Sequence, residues 1–373
     1  MSARIMRVAL VVPGGVDRSG EYRVIPALLA LIRRLARGSD LHVIALSQER
    51  DAAEWEWEGA KIHNVGTRRT RLNALRLLRN LHHQAPFDVI QAIWSGTCGL
   101  IGVTAGWLLG VPSAVHIAGG ELISLPDISY GGRLTGRGRV REALVLRSAA
   151  AVTAASSPMV NSVAQLGFPA SRLPLGVDLE TWPPREPVRR AAGQVARLLH
   201  VASLNGVKDQ PTLLRALAAV LKAGVQFEVD VVGEDTLRGT IQALAAKSGL
   251  AERIRFHGFM TQRQLRPLVE RADLMLLTSR HEAGPLAVLE AAVAGVPTVG
   301  TSVGHLVEWT PHAALSVAVG DWEGLAAVIR QVLEDEDLRL TLAREAFRLA
   351  VNEDADYTAR RFTQLHESLC RQS

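Results

Sequence analysis

The chain alternates short, continuous apolar runs with longer stretches of helical period. Apolar runs of strand length fall at residues 6–12, 41–46, 88–93, 114–118 and 149–154, and again at 195–201, 226–232, 254–257, 272–277 and 298–300. Strands apolar on both faces belong in parallel sheets covered by helices on each side. The intervening segments supply those helices, with 21–37 after the first strand and 211–223 after the sixth. Repeated strand–helix units of this kind predict an α/β protein with two Rossmann-like, doubly wound parallel sheets. A proline-bearing stretch at 169–187 with few apolar repeats separates them. It divides the chain into domains at 1–180 and 181–350, with a last segment, 351–373, whose residues 357–370 read as a short helix.

Residues 278–301 carry the densest punctuation. The run 272–277 leads into a polar turn; Gly284-Pro285 opens a helix, where a missing N–H costs nothing, and Gly295 and Pro297 end it. Glu282 lies in the turn before this helix and Glu290 about one and a half turns inside it. Two carboxylates flank a helix N-terminus, which is a natural seat for an anion. Glu290 sits among Leu289, Ala291, Ala292 and Val293, where an unpaired charge is costly, so a binding role explains it better than solvation does.

Composition narrows the class. The chain has 373 residues, 48% of them hydrophobic, enough to bury two cores, and a net charge of only +5. Its two cysteines, Cys98 and Cys370, form no metal or disulfide framework. The first strand begins too early for an ordered signal peptide, so a cytoplasmic protein is expected. Residues 91–120 hold no Asp, Glu, Lys or Arg, but their five glycines before Pro112 divide them into a helix ending near Gly110 and a strand at 114–118 rather than a membrane span. The loop 13–20 is glycine-bearing without the spacing of the dinucleotide fingerprint, and 131–139 reads as a loop of glycine and arginine.

Charge is uneven. Residues 67–83 place Leu72, Leu75, Leu78 and Leu81 at helical spacing amid Arg68, Arg69, Arg71, Arg76 and Arg79, and Arg133, Arg137, Arg139 and Arg141 follow. The stripe reads as an amphipathic helix packed on the sheet, or as a surface that docks on anionic membrane and presents a lipid-linked acceptor. Without interleaved aromatics, nucleic acid is not an expected partner.

Ser279-Arg-His-Glu-Ala-Gly-Pro-Leu-Ala-Val-Leu-Glu-Ala-Ala-Val-Ala-Gly-Val-Pro, with two glutamates eight positions apart, resembles the donor-binding signature of the GT-B, family 4 retaining glycosyltransferases. Leu175-Gly-Val-Asp, Phe256-His-Gly-Phe and Val303-Gly-His-Leu-Val-Glu308 resemble further segments of that family, and the likeness extends over the whole chain. It implies two Rossmann-like domains facing a cleft, with the C-terminal helix crossing back to the first. It also implies transfer of a sugar from a nucleotide-sugar donor to an acceptor hydroxyl, front-face and metal-independent. Carried over residue by residue, Glu282 accepts from donor-sugar hydroxyls and Glu290 from the ribose. Lys208 meets the departing diphosphate, the amides around Gly284, Leu286 and Ala287 meet diphosphate or sugar, and Gly258 and Phe259 lie beside the base. His116 becomes the active-site histidine, which domain closure brings to Lys208 and Glu282. His281 is a donor contact or a packing residue, Trp94 a core residue or an acceptor platform.

Two positions depart from the family pattern. Ser203 stands where an arginine is usual five residues before the lysine, removing one cation from the donor site. The donor-side glycine of the first loop is Gly15 by composition or Gly20 by distance to the helix. Alternative readings are a catalytically silent GT-B subunit that binds a partner protein, a nucleotide-sugar epimerase, or a Rossmann oxidoreductase, the last disfavoured by the missing fingerprint. Asp354-Ala-Asp356 is a DxD-like pair in the acidic C-terminal stretch, and no metal cofactor is expected.

Overall fold

The apolar run that opens the chain forms strand β1 (Met6–Val12), its last five residues enclosed on both faces. There follow α1 (Pro26–Ala36), β2 (Ser39–Ala45), β3 (Ala53–Trp57), β4 (Ala60–Asn64), α2 (Thr70–Gln84), β5 (Val89–Ile93), α3 (Leu100–Leu109), β6 (Ser113–Ile117), α4 (Gly136–Ser148), β7 (Ala151–Ala154), α5 (Ser157–Gln165) and β8 (Ser171–Arg172). This computed structural model describes residues 5–372, and they fall into two units, one running up to Leu175 and resuming at Ala355, the other spanning Gly176–Asp354.

The first unit is built on an eight-stranded sheet of order β3-β4-β2-β1-β5-β6-β7-β8. Every pairing in it is parallel except that of β3 with β4. The chain leaves β1 toward β2 and returns on the other side at β5, so the crevice beyond the ends of these three strands is a topological switch point.

The second unit continues with β9 (Ala196–Val201), α6 (Gln210–Lys222), β10 (Phe227–Val232), α7 (Thr240–Lys247), β11 (Ile254–Gly258), α8 (Gln262–Glu270), β12 (Leu274–Leu277), α9 (Leu286–Val293), β13 (Thr298–Thr301), α10 (His305–Trp309), β14 (Ala314–Val317), α11 (Trp322–Glu334) and α12 (Glu336–Asn352). Its six parallel strands run β11-β10-β9-β12-β13-β14, with the switch at β9. The break between units falls at Gly176, five residues before the expected boundary. A Cβ there would lie 2.1 Å from the carbonyl oxygen of Glu353, so only glycine lets the outgoing and returning segments pass.

The last helix, α13 (Ala355–Gln372), belongs to the first unit and is longer than the short helix expected. Thr358 donates to the carbonyl of Pro174, His366 meets the side-chain oxygen of Gln91 at 3.2 Å, and Phe362 is fully buried in the core around β1 and β5. Asp356, half of the DxD-like pair, is engaged there by Arg34.

Several local expectations are corrected. Helix α1 starts at Pro26 rather than Glu21, because Ser19 Oγ takes the amides of Glu21 and Tyr22 and Arg23 is left-handed at φ 54°. The hairpin β3–β4 escapes the apolar-run criterion. Its outer strand alternates Glu with Trp, and its turn needs positive φ at Glu58 and Gly59. The glycine–arginine loop becomes helical from Gly136, where Thr135 caps the amide of Gly138. The uncharged run 91–120 folds into β5, α3 and β6, and among the described residues no helix is long and apolar enough to cross a membrane.

Substituting Phe362→Ala is expected to destabilise the first unit by about 3–5 kcal/mol, the cost of an aromatic-sized cavity. Urea unfolding monitored with hydrogen exchange should show lost protection in β1, β5 and α13 while β9 and β12 keep theirs; loss shared equally by both sheets would contradict the assignment of α13.

Candidate functional site

In the second unit β9 and β12 are neighbours, so the loops leaving their carboxyl ends run side by side. Backbone and hydroxyl bonds lock them together. Arg280 N–H donates to the carbonyl of Val207 at 2.7 Å, and Thr278 Oγ1 to that of Lys208 at 2.9 Å. From the next strand, Thr301 Oγ1 donates to the carbonyl of Ser279 at 2.6 Å. These bonds leave Lys208 Nζ 2.5 Å from Glu282 Oε1, and Ser279 Oγ donates to the same oxygen at 2.6 Å. The side chains of Lys208 and Glu282 are only 24% and 12% exposed, so each limits the desolvation penalty of the other.

Beyond Glu282 the chain enters α9. Pro285 is extended at the N-cap and offers no side-chain cap, and the first turn carries no acidic residue. The leading amides, those of Leu286 and Ala287, therefore have neither an intrahelical acceptor nor a capping oxygen, which is the electrostatic condition for binding an anion. Gly304 completes the wall. It has φ 52°, and a Cβ there would stand 2.7 Å from Pro285 Cδ and 3.2 Å from Glu282 Cβ.

Glu290 is buried on the inward face of α9. Burial pushes its carboxyl up to about 7, opposed by Gln262, which donates to Oε1 at 2.7 Å. Gln262 is itself held by the indole N–H of Trp182. Sequence reasoning missed this support, since neither Gln262 nor Trp182 belongs to a motif at a spacing that points to Glu290.

The remaining candidates are distributed unevenly. Ser203 follows β9, and its carbonyl accepts from Gln210. Gly258 ends β11 at φ 70°, its carbonyl taking the amide of Gly233, and the exposed ring of Phe259 follows it. His281 is half-buried in the turn that holds Glu282, and Gly284 precedes the helix. In the first unit Gly15 gives its amide to Gln48 Oε1 at 2.7 Å, and a Cβ there would meet Ile25 at 2.6 Å, so its glycine serves packing. Gly20 closes a solvent-side turn onto Asp17.

His116 requires correction. It lies within β6, enclosed on both faces, with Nδ1 2.9 Å from Thr153 Oγ1 and its ring edge-on to Phe362. Burial pushes it down to about 3, so it is a neutral core imidazole and touches no surface. The loop after β6 brings in Glu121 instead, which the sequence reading passed over although it follows a strand and two glycines. Glu121 Oε1 accepts the amides of Ser95 and Ala118, while Oε2 has no partner among the described residues. Burial first, with Glu142 adding to it, pushes its carboxyl up to about 7. Glu142, raised by burial as well, is bound by the Ser95 hydroxyl.

Comparison with known proteins places the chain in a family. Residues 187–348 match the profile described as glycosyl transferases group 1, and residues 23–176 that of a glycosyl transferase 4-like domain. Glycogen synthase of Mycobacterium tuberculosis is 32% identical over 184 residues, 49% of this chain and 44% of that protein. The GDP-mannose-dependent alpha-(1-6)-phosphatidylinositol dimannoside mannosyltransferase of the same species is 32% identical over 167 residues, 43% of each. The matched stretches thus span less than half the length of these relatives. Among solved structures, sucrose-phosphate synthase from Thermosynechococcus elongatus superposes with a TM-score of 0.81 at 17% identity, covering 99% of this chain and 100% of that one. Anabaena HepE, solved with UDP-glucose, gives 0.74 at 18% identity, covering 97% and 100%.

The buried Glu290 sets a pH dependence. Its carboxyl titrates near 4.5 when exposed and about 7 when folded, so between these values the folded state holds the extra proton. Stability then falls as pH rises from about 4.5 through 7. Glu290→Gln removes this titration: urea midpoints at pH 5 and pH 8 should differ less in the variant than in the parent, and parallel pH profiles would show that Glu290 is not buried as described.

Proposed function

The chain belongs to the glycosyl transferases of group 1 and has the GT-B fold, and from this premise we propose that it is a retaining glycosyltransferase. It moves a sugar from a nucleoside-diphosphate sugar to an acceptor hydroxyl without a metal cofactor. The observation that carries the reading is the Lys208–Glu282 pair held beside the uncapped N-terminus of α9. The names of two similar proteins point to the same donor class, one being GDP-mannose-dependent and the other solved with UDP-glucose.

In the reaction the bond from the anomeric carbon to the diphosphate oxygen breaks and a bond to the acceptor oxygen forms on the same face. The acceptor proton passes to the departing diphosphate. Negative charge grows on the leaving group as the bond breaks, so Lys208 and the amides of Leu286 and Ala287 stabilise the transition state more than the bound donor. Glu282, freed from Lys208 as the ammonium turns to phosphate, accepts from sugar hydroxyls. Glu290 accepts from the ribose hydroxyls, and donation to its charged form pulls its raised carboxyl back down. With Ser203 in place of an arginine, Lys208 and the helix amides carry the charge of the diphosphate site.

Release of nucleoside diphosphate from a panel of UDP, GDP and ADP sugars is expected with one donor, and anomeric NMR of the product should show retention. Lys208→Ala should lower kcat by roughly 10²–10³-fold, the scale of losing one preorganised donor to developing charge. Glu282→Gln should lower turnover while circular dichroism stays that of the parent. Unchanged rates would remove both residues from the site, inversion would reject the retaining course, and loss of activity in chelator would reject metal independence.

A further inference from the structure

The first unit contains a cavity of about 1080 Å³ that none of the donor-site residues line. It opens at the switch point of the sheet, walled by Pro13 after β1, Leu46 and Ser47 after β2, and Trp94, Thr97 and Cys98 after β5. Ile25 and the first turn of α2 close it. Its surface is mostly apolar, and its volume is at the upper end of what ligand pockets offer.

The rim has the opposite character. Helix α2 buries Ala74, Leu78 and Leu81, but Leu72, on another face of its first turn, is 43% exposed and lines the cavity. The start of the helix thus overhangs the opening. Arg69 and Arg71 lie on it, both exposed, and among the described residues neither pairs with a carboxylate. Arg69 is the N-cap at φ 52° with no side-chain cap, and no acid occupies the first turn, so the helix amides add to the same positive field.

An apolar interior under a positive rim is complementary to a molecule with an apolar body and an anionic head. We infer that this cavity is the acceptor subsite, and that the acceptor is an amphiphile whose apolar chain enters between Trp94, Leu46 and Leu72 while a phosphate beside its reactive hydroxyl meets Arg69, Arg71 and the amides of α2. The inference rests on the glycosyltransferase reading and names its acceptor class. A polar oligosaccharide acceptor would leave the apolar wall without a partner, and a free anion would use the rim alone.

Calorimetric titration with monomeric dihexanoyl phosphatidic acid, in the absence of any nucleotide sugar, tests the cavity independently of turnover. Failure of the donor assays would leave this measurement intact, and failure here would leave the donor reading intact. Binding is expected to weaken at least about tenfold in Arg69→Ala/Arg71→Ala, the cost of losing charge-assisted bonds to phosphate, and by a similar factor in Leu72→Asp. These positions are exposed, so the variants should fold, and circular dichroism checks it. Equal binding of dihexanoylglycerol, equal binding of inorganic phosphate, or unaltered affinity in both variants would each overturn the proposal. So would anionic vesicles that sediment the parent and Leu72→Asp alike while the monomeric lipid fails to bind, since the arginines would then serve a membrane surface and not the cavity.

Discussion

The ion pair between Lys208 and Glu282 is the contact around which the second unit's candidate site is arranged. Each charge is largely withdrawn from water, and neither would rest there alone, because an unpaired ion in such surroundings costs several kcal/mol. The pair exists only if the loops after β9 and β12 lie side by side, which parallel pairing of those strands provides. Thr278, Thr301 and the backbone of Arg280 then hold the loops at fixed height. The same bonds that make the loops rigid place a lysine, a carboxylate and an uncapped helix end around one point, so stability and the proposed function rest on one set of contacts.

Both units obey one rule and use it differently. In each, the chain reverses direction across the sheet and leaves a crevice beyond the strand ends. The second unit fills its crevice with charge, hydroxyls and amides, suited to phosphate and sugar. The first unit's crevice is an apolar hollow with arginines at its mouth. Beyond the ends of β5 and β6, Glu121 and Glu142 share a buried space with Ser95, their carboxyls raised by burial. Buried carboxyls of this kind are costly to keep in their charged form.

Much of this was legible in the chain. The helix bounded by Gly284-Pro285 and Gly295 runs from Leu286 to Val293, and Gly295 has the positive φ of 77° its position requires. That Glu290 faces inward follows from the apolar residues around it, and the apolar runs gave the core strands of both sheets. What failed did so for identifiable reasons. Strand β3 is half-exposed and alternates Glu with Trp, while β4 is interrupted by Lys61 and by buried His63 and Asn64, so neither has the apolar continuity of the others. Helix α4 begins among glycines and arginines that read as loop, and it is held by a threonine cap and by close backbone packing.

Local sequence thus determined most core strands, the ends of α9 and the two glutamates, because periodicity, capping and burial preference act over a few residues. Only the tertiary structure decided which face of β6 His116 occupies, since a strand covered on both sides has no polar face to fix it. Only the tertiary structure could bring Lys208 to Glu282 across 74 positions and leave Leu72 over a cavity while Leu78 was buried. Those outcomes follow from strand order and from where a helix meets the sheet, and both are set by contacts between segments far apart in the chain, which no local pattern encodes.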